Sequence, residues 1–265
     1  MNRSVLVTGA TYGTGYAIAA RFAREGYHVF ITSRREDEGL ANAVAQLNRD
    51  YPEVKAYGLA LPVEDEAKVK EVFAEIREKG YLLDALVLNA ANLGIGQNTL
   101  EVDIADFENV VYTNMVWNFM IARQAALMMI EKGEGGAIVF INSNTAHRAI
   151  PFRAAYCSSK AGALGLTRSL AIDWGKYGIR CNAVVPGMIK TVRWETNYNN
   201  CREALSNFTP IQDIAEFEDI ANAAYFLASD GARNITAAEL TVDGGNMSQL
   251  TPTLSDFGYH IEKDQ

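Results

Sequence analysis

Short runs rich in Val, Ile and Leu alternate along the chain with longer stretches in which apolar residues recur every three or four positions. The first kind reads as buried strand and the second as one-sided helix. Strands are predicted at Ser4–Val7, Val29–Thr32, Val54–Leu59, Ala85–Leu88, Ala137–Ile141, Arg180–Val185 and Glu239–Val242. Helices are predicted at Tyr16–Glu25, with Ile18, Ala19 and Phe22 on one side, at Gly39–Asn48 and at Glu64–Glu78, with Val69, Val72, Phe73 and Ile76 on one face. Three more follow: a long region Ala105–Ile130 with a break, Ala155–Tyr177, and Phe217–Ser229. Tyr51-Pro52 closes the second helix, because the residue before proline is pushed out of the α region.

Strands this continuously apolar are covered on both faces, as in a parallel sheet between helices. Regular alternation with helices gives βαβ units. The expected fold is therefore α/β: a doubly wound Rossmann fold, one domain with a central parallel sheet of about seven strands flanked by helices. No low-complexity block or Pro-rich linker divides it. The domain is expected over 1–248, with 249–265 as a tail.

Composition narrows this only slightly. The 265 residues are 49% hydrophobic and 21% charged, ordinary for a globular chain. A net charge of −8 argues against nucleic-acid or anionic-membrane partners. Cys157, Cys181 and Cys201 show no paired spacing, so free thiols and a reducing compartment are expected. MNRSVLVTGAT enters a strand at once, with no signal-like segment. No uncharged apolar run reaches the roughly 20 residues a membrane helix needs. A cytoplasmic protein is expected, and no metal site.

The chemistry begins at the first strand–helix turn, Thr8-Gly9-Ala10-Thr11-Tyr12-Gly13-Thr14-Gly15. Glycines there let backbone approach a phosphate, and the next helix offers free N–H groups. Gly9, Thr11, Tyr12, Gly13, Thr14 and Gly15 are therefore cofactor-binding candidates. The spacing is G-x-x-x-G-x-G, not G-x-G-x-x-G. At the end of the second strand an acid would hold the ribose 2′-hydroxyl of NAD. The chain has Ser33-Arg34-Arg35, and arginine pairs a 2′-phosphate, which favours NADP. Glu36 and Asp37 would supply the acid in a shifted register.

Tyr156-x-x-x-Lys160 lies in the fifth helical stretch, with Ser143 upstream after the fifth strand. On a helix Lys160 falls one turn from Tyr156, on the same face. A nearby ammonium favours a phenolate, which suits Tyr156 to proton transfer. The Ser143 hydroxyl is placed to steady charge developing on a substrate oxygen.

Taken together, TGATYGTG at Thr8–Gly15, Asn89-Ala90-Ala91, Asn114, Ser143, Tyr156-x-x-x-Lys160 and Pro186-Gly187-Met188-Ile189-Lys190-Thr191 occur in one order over nearly the whole chain. This set resembles the short-chain dehydrogenase/reductase family. The resemblance implies an NADP(H)-dependent enzyme that interconverts a secondary alcohol and a ketone. It implies that Tyr156 is the acid/base, that Lys160 lowers its pKa and binds the nicotinamide ribose, and that Ser143 polarises the carbonyl. It implies that Asn114 holds a water linking Lys160 to solvent, that Asn89 and Ala90 line the adenosine side, and that Pro186, Gly187, Ile189 and Thr191 meet the nicotinamide. Two departures stand out. Ala91 replaces a usual Gly, and Pro62-Val63 replaces a usual Asp-Val, leaving Val63 without the acidic neighbour that contacts adenine.

In this resemblance the segment 192–214 is the substrate lid, with Trp194, Tyr198 and Phe208. With Tyr12, Ser143, Thr145, His147, Phe152, Tyr156 and Met188 these residues form the expected substrate wall. The aromatic content leans toward a bulky ketone such as a hydroxysteroid. Reduction of a 3-oxoacyl thioester and oxidation of a sugar or polyol stay open, as does a non-catalytic NADP-sensing protein. The 155–177 helix, with Leu164, Leu166 and Leu170, and the last strand resemble the family's oligomer surfaces, which implies a homotetramer or dimer.

Overall fold

The computed structural model describes residues 3–63, 65–191, 208–211 and 213–250. Seven parallel strands form one sheet: β1 (Ser4–Val7), β2 (His28–Ser33), β3 (Ala56–Ala60), β4 (Ala85–Leu88), β5 (Gly136–Ile141), β6 (Ile179–Pro186) and β7 (Glu239–Val242). Their spatial order is β3-β2-β1-β4-β5-β6-β7. The chain therefore reverses direction across the sheet between β1 and β4. In open α/β sheets that reversal opens a crevice at the strand C-termini.

Successive strand residues feed opposite faces. Leu6, Phe30, Leu86, Ile138 and Phe140 pack with α3 (Glu66–Glu78), α5 (Asn118–Lys132) and α6 (Ala154–Trp174). Val5, Val7, Val29, Ile31, Val87 and Val139 pack with α1 (Gly13–Arg24), α2 (Glu38–Asp50) and α7 (Phe217–Ala228). Both sets are essentially inaccessible, which explains the unbroken apolar runs.

The structure moves several expected boundaries. The first helix starts at Gly13, not Tyr16, because Gly13, Thr14 and Gly15 already belong to it. The second is longer at both ends, its start set by the Asp37 carboxylate accepting from the Leu40 N–H at 3.0 Å. The third strand begins at Ala56, since Val54 is held in a turn by its N–H to the Tyr51 carbonyl. The expected break in 105–130 is a π turn at Tyr112–Trp117, joining α4 (Ile104–Val111) to α5 without interruption. The sixth helix ends at Trp174 and continues as a 3-10 turn, Gly175–Tyr177. Leu164 and Leu170, read above as oligomer surface, are core residues, and Leu166 packs beside them.

Candidate active site

The loop between β1 and α1 sits at the sheet reversal. Its Gly9 (φ 63°) and Gly13 (φ 59°) occupy the left-handed region that glycine enters without strain. A Cβ on Gly15 would fall 2.3 Å from the Gly9 carbonyl oxygen and 2.6 Å from Asn89 Nδ2. The turn is braced by its neighbours. Asn89 Nδ2 donates to the Thr8 and Gly9 carbonyls (3.0 and 2.9 Å), and Thr8 Oγ1 accepts from the Asn89 and Ala90 N–H groups. Asn89 thus supports the turn, and Ala90 packs on Gly9. Tyr12 caps α1 with no side-chain bond, so the first helical N–H groups keep their capacity for an anion. These features fit a dinucleotide pyrophosphate.

The Thr32 hydroxyl and carbonyl accept from Gly9 and Ala10, so Ser33, the last residue of β2, follows directly beside the turn. Arg34 and Arg35 are exposed. Asp37 is committed to capping α2 and pairs with Arg35 at 3.5 Å. Val63 packs at the edge of the core just past β3. On the other side of the crevice Pro186 ends β6, and Gly187 donates to the Val242 carbonyl, with room for no Cβ beside Asp243. Ile189 bridges Ala215, and Met188 and Thr191 are half-buried alongside.

Tyr156 lies in the first turn of α6, and Lys160 one turn on is buried. The Lys160 Nζ donates to the Ile141 carbonyl at 2.9 Å and stands 5.6 Å from the Tyr156 ring centroid. Desolvation pushes the amine down to about 8. The phenol moves the other way. Burial raises Tyr156 above the ordinary phenol value, opposed by a hydrogen bond with Ser143 and by the Arg153 charge. Burial sets the direction of this shift, and Lys160, whose ammonium donates to the Ile141 carbonyl, is not among its causes.

Ser143 follows β5, its N–H donating to Asn142 Oδ1 (2.7 Å), while Asn142 Nδ2 donates to the Lys160 carbonyl (3.1 Å). Thr145 donates to the Ser143 hydroxyl through Oγ1 (2.9 Å) and N–H (3.2 Å). Asn114, in the π turn, accepts from the Asn92 N–H (2.7 Å) and donates to the Asn92 carbonyl and Ser159 hydroxyl (both 2.9 Å). Both of its amide hydrogens and its oxygen are engaged, so the side chain serves as a bolt; its main-chain carbonyl accepts from Asn118 Nδ2 at 3.0 Å.

The substrate wall divides. Phe152 is 59% exposed and shares a small hollow with Leu93, Ile95, Arg153 and Tyr156. Tyr12 and Phe208 are exposed as well. His147 is a correction: its Nε2 is committed to Glu239 of β7 at 2.8 Å. Trp194 and Tyr198 lie outside the described residues. The sequence reading missed Asn92, Asn142, Arg153 and Ser159. Only the polar Asn142 at the end of an apolar strand carried a visible signal.

The chain matches, over residues 9–247, the protein family described as Enoyl-(Acyl carrier protein) reductase. It is 36% identical to L-rhamnose 1-dehydrogenase (NAD(P)(+)) of Azotobacter vinelandii, covering 92% of this chain and 96% of that one. It is 34% identical to 3alpha-hydroxysteroid dehydrogenase of Mediterraneibacter gnavus, covering 93% and 98%. Among solved structures, ElxO with NADP bound superposes with a TM-score of 0.85 at 32% identity, over 94% of this chain and all of that one (100%). A parallel sheet with its reversal at a glycine turn, a tyrosine and lysine one helical turn apart, and relatives aligned end to end lead to one assignment. The chain belongs to the short-chain dehydrogenase/reductase family and is an oxidoreductase acting on CH–OH groups with a nicotinamide cofactor.

Proposed function

We propose that this enzyme interconverts a bulky apolar ketone, of hydroxysteroid-like size, and its secondary alcohol, with NADP(H) preferred over NAD(H). The observation that carries the substrate reading is the apolar rim beside Tyr156, where Leu93, Ile95 and Phe152 are 49%, 62% and 59% exposed. Exposed apolar groups gathered at a site mouth gain when an apolar ligand covers them. The cofactor preference is supported by Ser33 at the end of β2, by the exposed Arg34 and Arg35 beyond it, and by the engagement of Asp37 as a cap.

In the reductive direction a nicotinamide held in this crevice would supply the hydride that the carbonyl carbon receives. Tyr156 gives its phenolic proton to the carbonyl oxygen as that oxygen gains charge, and Ser143 donates a hydrogen bond to the same atom. The raised phenol suits this, since Tyr156 stays protonated at neutral pH. Lys160, one turn along α6, would hold the ribose hydroxyls of the cofactor. Asn114 keeps the π turn and the 92–97 loop fixed against α6. In the oxidative direction Tyr156 takes the alcohol proton.

The protein acts in the cytoplasm as a homotetramer or dimer, a reading supported by exposed Leu127 on α5 and Ile172 on α6. Among the described residues no helix is long and apolar enough to cross a membrane. The test is NADPH consumption against steroid ketones, 3-oxoacyl thioesters and keto-sugars. Best turnover on steroid ketones is expected. Preference for an acyl thioester or a sugar overturns the substrate reading. Tight NADPH binding with no turnover on any ketone favours a sensor.

A further inference from the structure

Arg153 is the residue before α6, and its carbonyl accepts from the Cys157 N–H in the first turn of that helix. Its Nη1 reaches across the mouth to two backbone carbonyls of the loop after β4, Leu93 at 3.1 Å and Gly94 at 2.6 Å. The neighbouring Gln97 N–H donates to the Phe152 carbonyl at 3.2 Å. Gly96 lies against the guanidinium, where an added Cβ would touch it at 3.5 Å. Three contacts therefore close this loop onto the start of the catalytic helix, over a hollow of about 20 Å³ that Tyr156 also lines.

We propose that Arg153 is a positioning residue for Tyr156, its guanidinium clamping the 93–97 loop to the first turn of α6 and holding a permanent positive charge beside the phenol. This rests on the reading of Tyr156 as the acid/base. The groups facing the phenol are few. From α6 come Cys157, which opposes the phenolate, and Lys160, which donates to Ile141; from the loop after β5 comes the Ser143 hydroxyl; from α4, Asp106 lines the same hollow. Among the cations here, a guanidinium keeps its charge where an amine can lose it. Lys160, pushed down to about 8, loses its charge in the range where a phenolate forms. Arg153 thus supplies the fixed field, and its bonds to Leu93 and Gly94 fix where that field sits.

The test uses the full chain with carbon-13 label on the tyrosine rings, titrated by NMR, Tyr156→Phe identifying the Tyr156 signal. Arg153→Gln keeps amide donors for the two carbonyls and removes the charge; Arg153→Lys keeps the charge and loses the fork. Arg153→Gln is expected to raise the Tyr156 midpoint by about one pH unit, and Arg153→Lys by less than half of that. The acid limb of alcohol oxidation moves in the same sense, with NADP affinity within about twofold of the parent. Equal midpoints in all three proteins overturn the proposal, and so do equal shifts in Gln and Lys, which would make Arg153 a clamp alone. If Arg153→Gln does not fold, Arg153→Met replaces it under the same criteria. Full turnover in Tyr156→Phe would instead remove the acid/base reading, whatever the Arg153 variants do.

Discussion

The Lys160 ammonium donates to the Ile141 carbonyl, 2.9 Å away at the end of β5, while the ring of Tyr156 lies 5.6 Å off, measured to its centroid. A buried amine held by one carbonyl is poorly compensated for the water it has lost.

Lys160→Met should therefore stabilise the cofactor-free protein. The lysine sits at about 8 when folded and at its ordinary 10.5 when unfolded. Between those values the unfolded chain binds more protons, so wild-type stability rises with pH there, and below about 8 the full penalty is present. At neutral pH the variant should melt several degrees higher, the gap narrowing as pH rises from 8 to 10.5, with turnover lost. A lower melting temperature at pH 7 would show that the Ile141 bond outweighs desolvation.

Burial holds Tyr156 protonated well past neutrality. Ketone reduction should therefore hold its rate from about pH 6 to pH 8, where the phenol is the form needed, and alcohol oxidation should climb with pH as phenolate accumulates. Initial rates in both directions check this. An oxidation rate flat across the range would separate the proton step from Tyr156.

Removing the Asn114 side chain strips partners from the Asn92 N–H, the Asn92 carbonyl and the Ser159 hydroxyl at once. Asn114 is 1% exposed, so no water replaces them freely. Asn114→Ala should cost about 2–4 kcal/mol in denaturant unfolding and lower turnover, since Ser159 also donates to the Tyr156 carbonyl at 2.8 Å. A loss under about 0.5 kcal/mol would show that the π turn stands without this bolt.

Phe152 carries φ 64°, a left-handed conformation that a bulky side chain adopts only under strain. Phe152→Gly should relieve about 1 kcal/mol and raise the melting temperature, while raising KM for apolar ketones through loss of the exposed ring. A variant with unchanged KM would take Phe152 off the substrate wall.

Arg34→Ala should weaken NADPH about tenfold or more and leave NADH nearly unchanged, as expected for loss of a charge-assisted contact to the 2′-phosphate. Direct titration of both nucleotides measures it. Equal effects on the two would reject the preference.

Much of this architecture is readable from periodicity alone. Val5, Leu6 and Val7 are each inaccessible because both faces of the sheet are covered, and that double coverage is what an unbroken apolar run encodes. The Tyr156/Lys160 spacing is legible for a similar reason, since one helical turn is fixed geometry. What escaped the sequence depends on where side chains turn after folding. Lys160 finds a carbonyl on β5, His147 finds Glu239 ninety-two positions on, and Asn114 finds the backbone of Asn92 across the crevice. No local pattern announces such long-range partners. Of the π turn only a break within 105–130 is legible, because the composition of Tyr112–Trp117 differs in no obvious way from ordinary helix.

All seven strands point the same way, so the chain enters the sheet at the end remote from the crevice. A tether attached ahead of Ser4 would hold the molecule by its underside and leave the mouth toward solution. By contrast, Gln249 at the far end of the described chain is gripped through its carbonyl by Arg148, on the segment that leads into Phe152 and Tyr156. For immobilised or fused forms of this enzyme, the front of the chain is the handle.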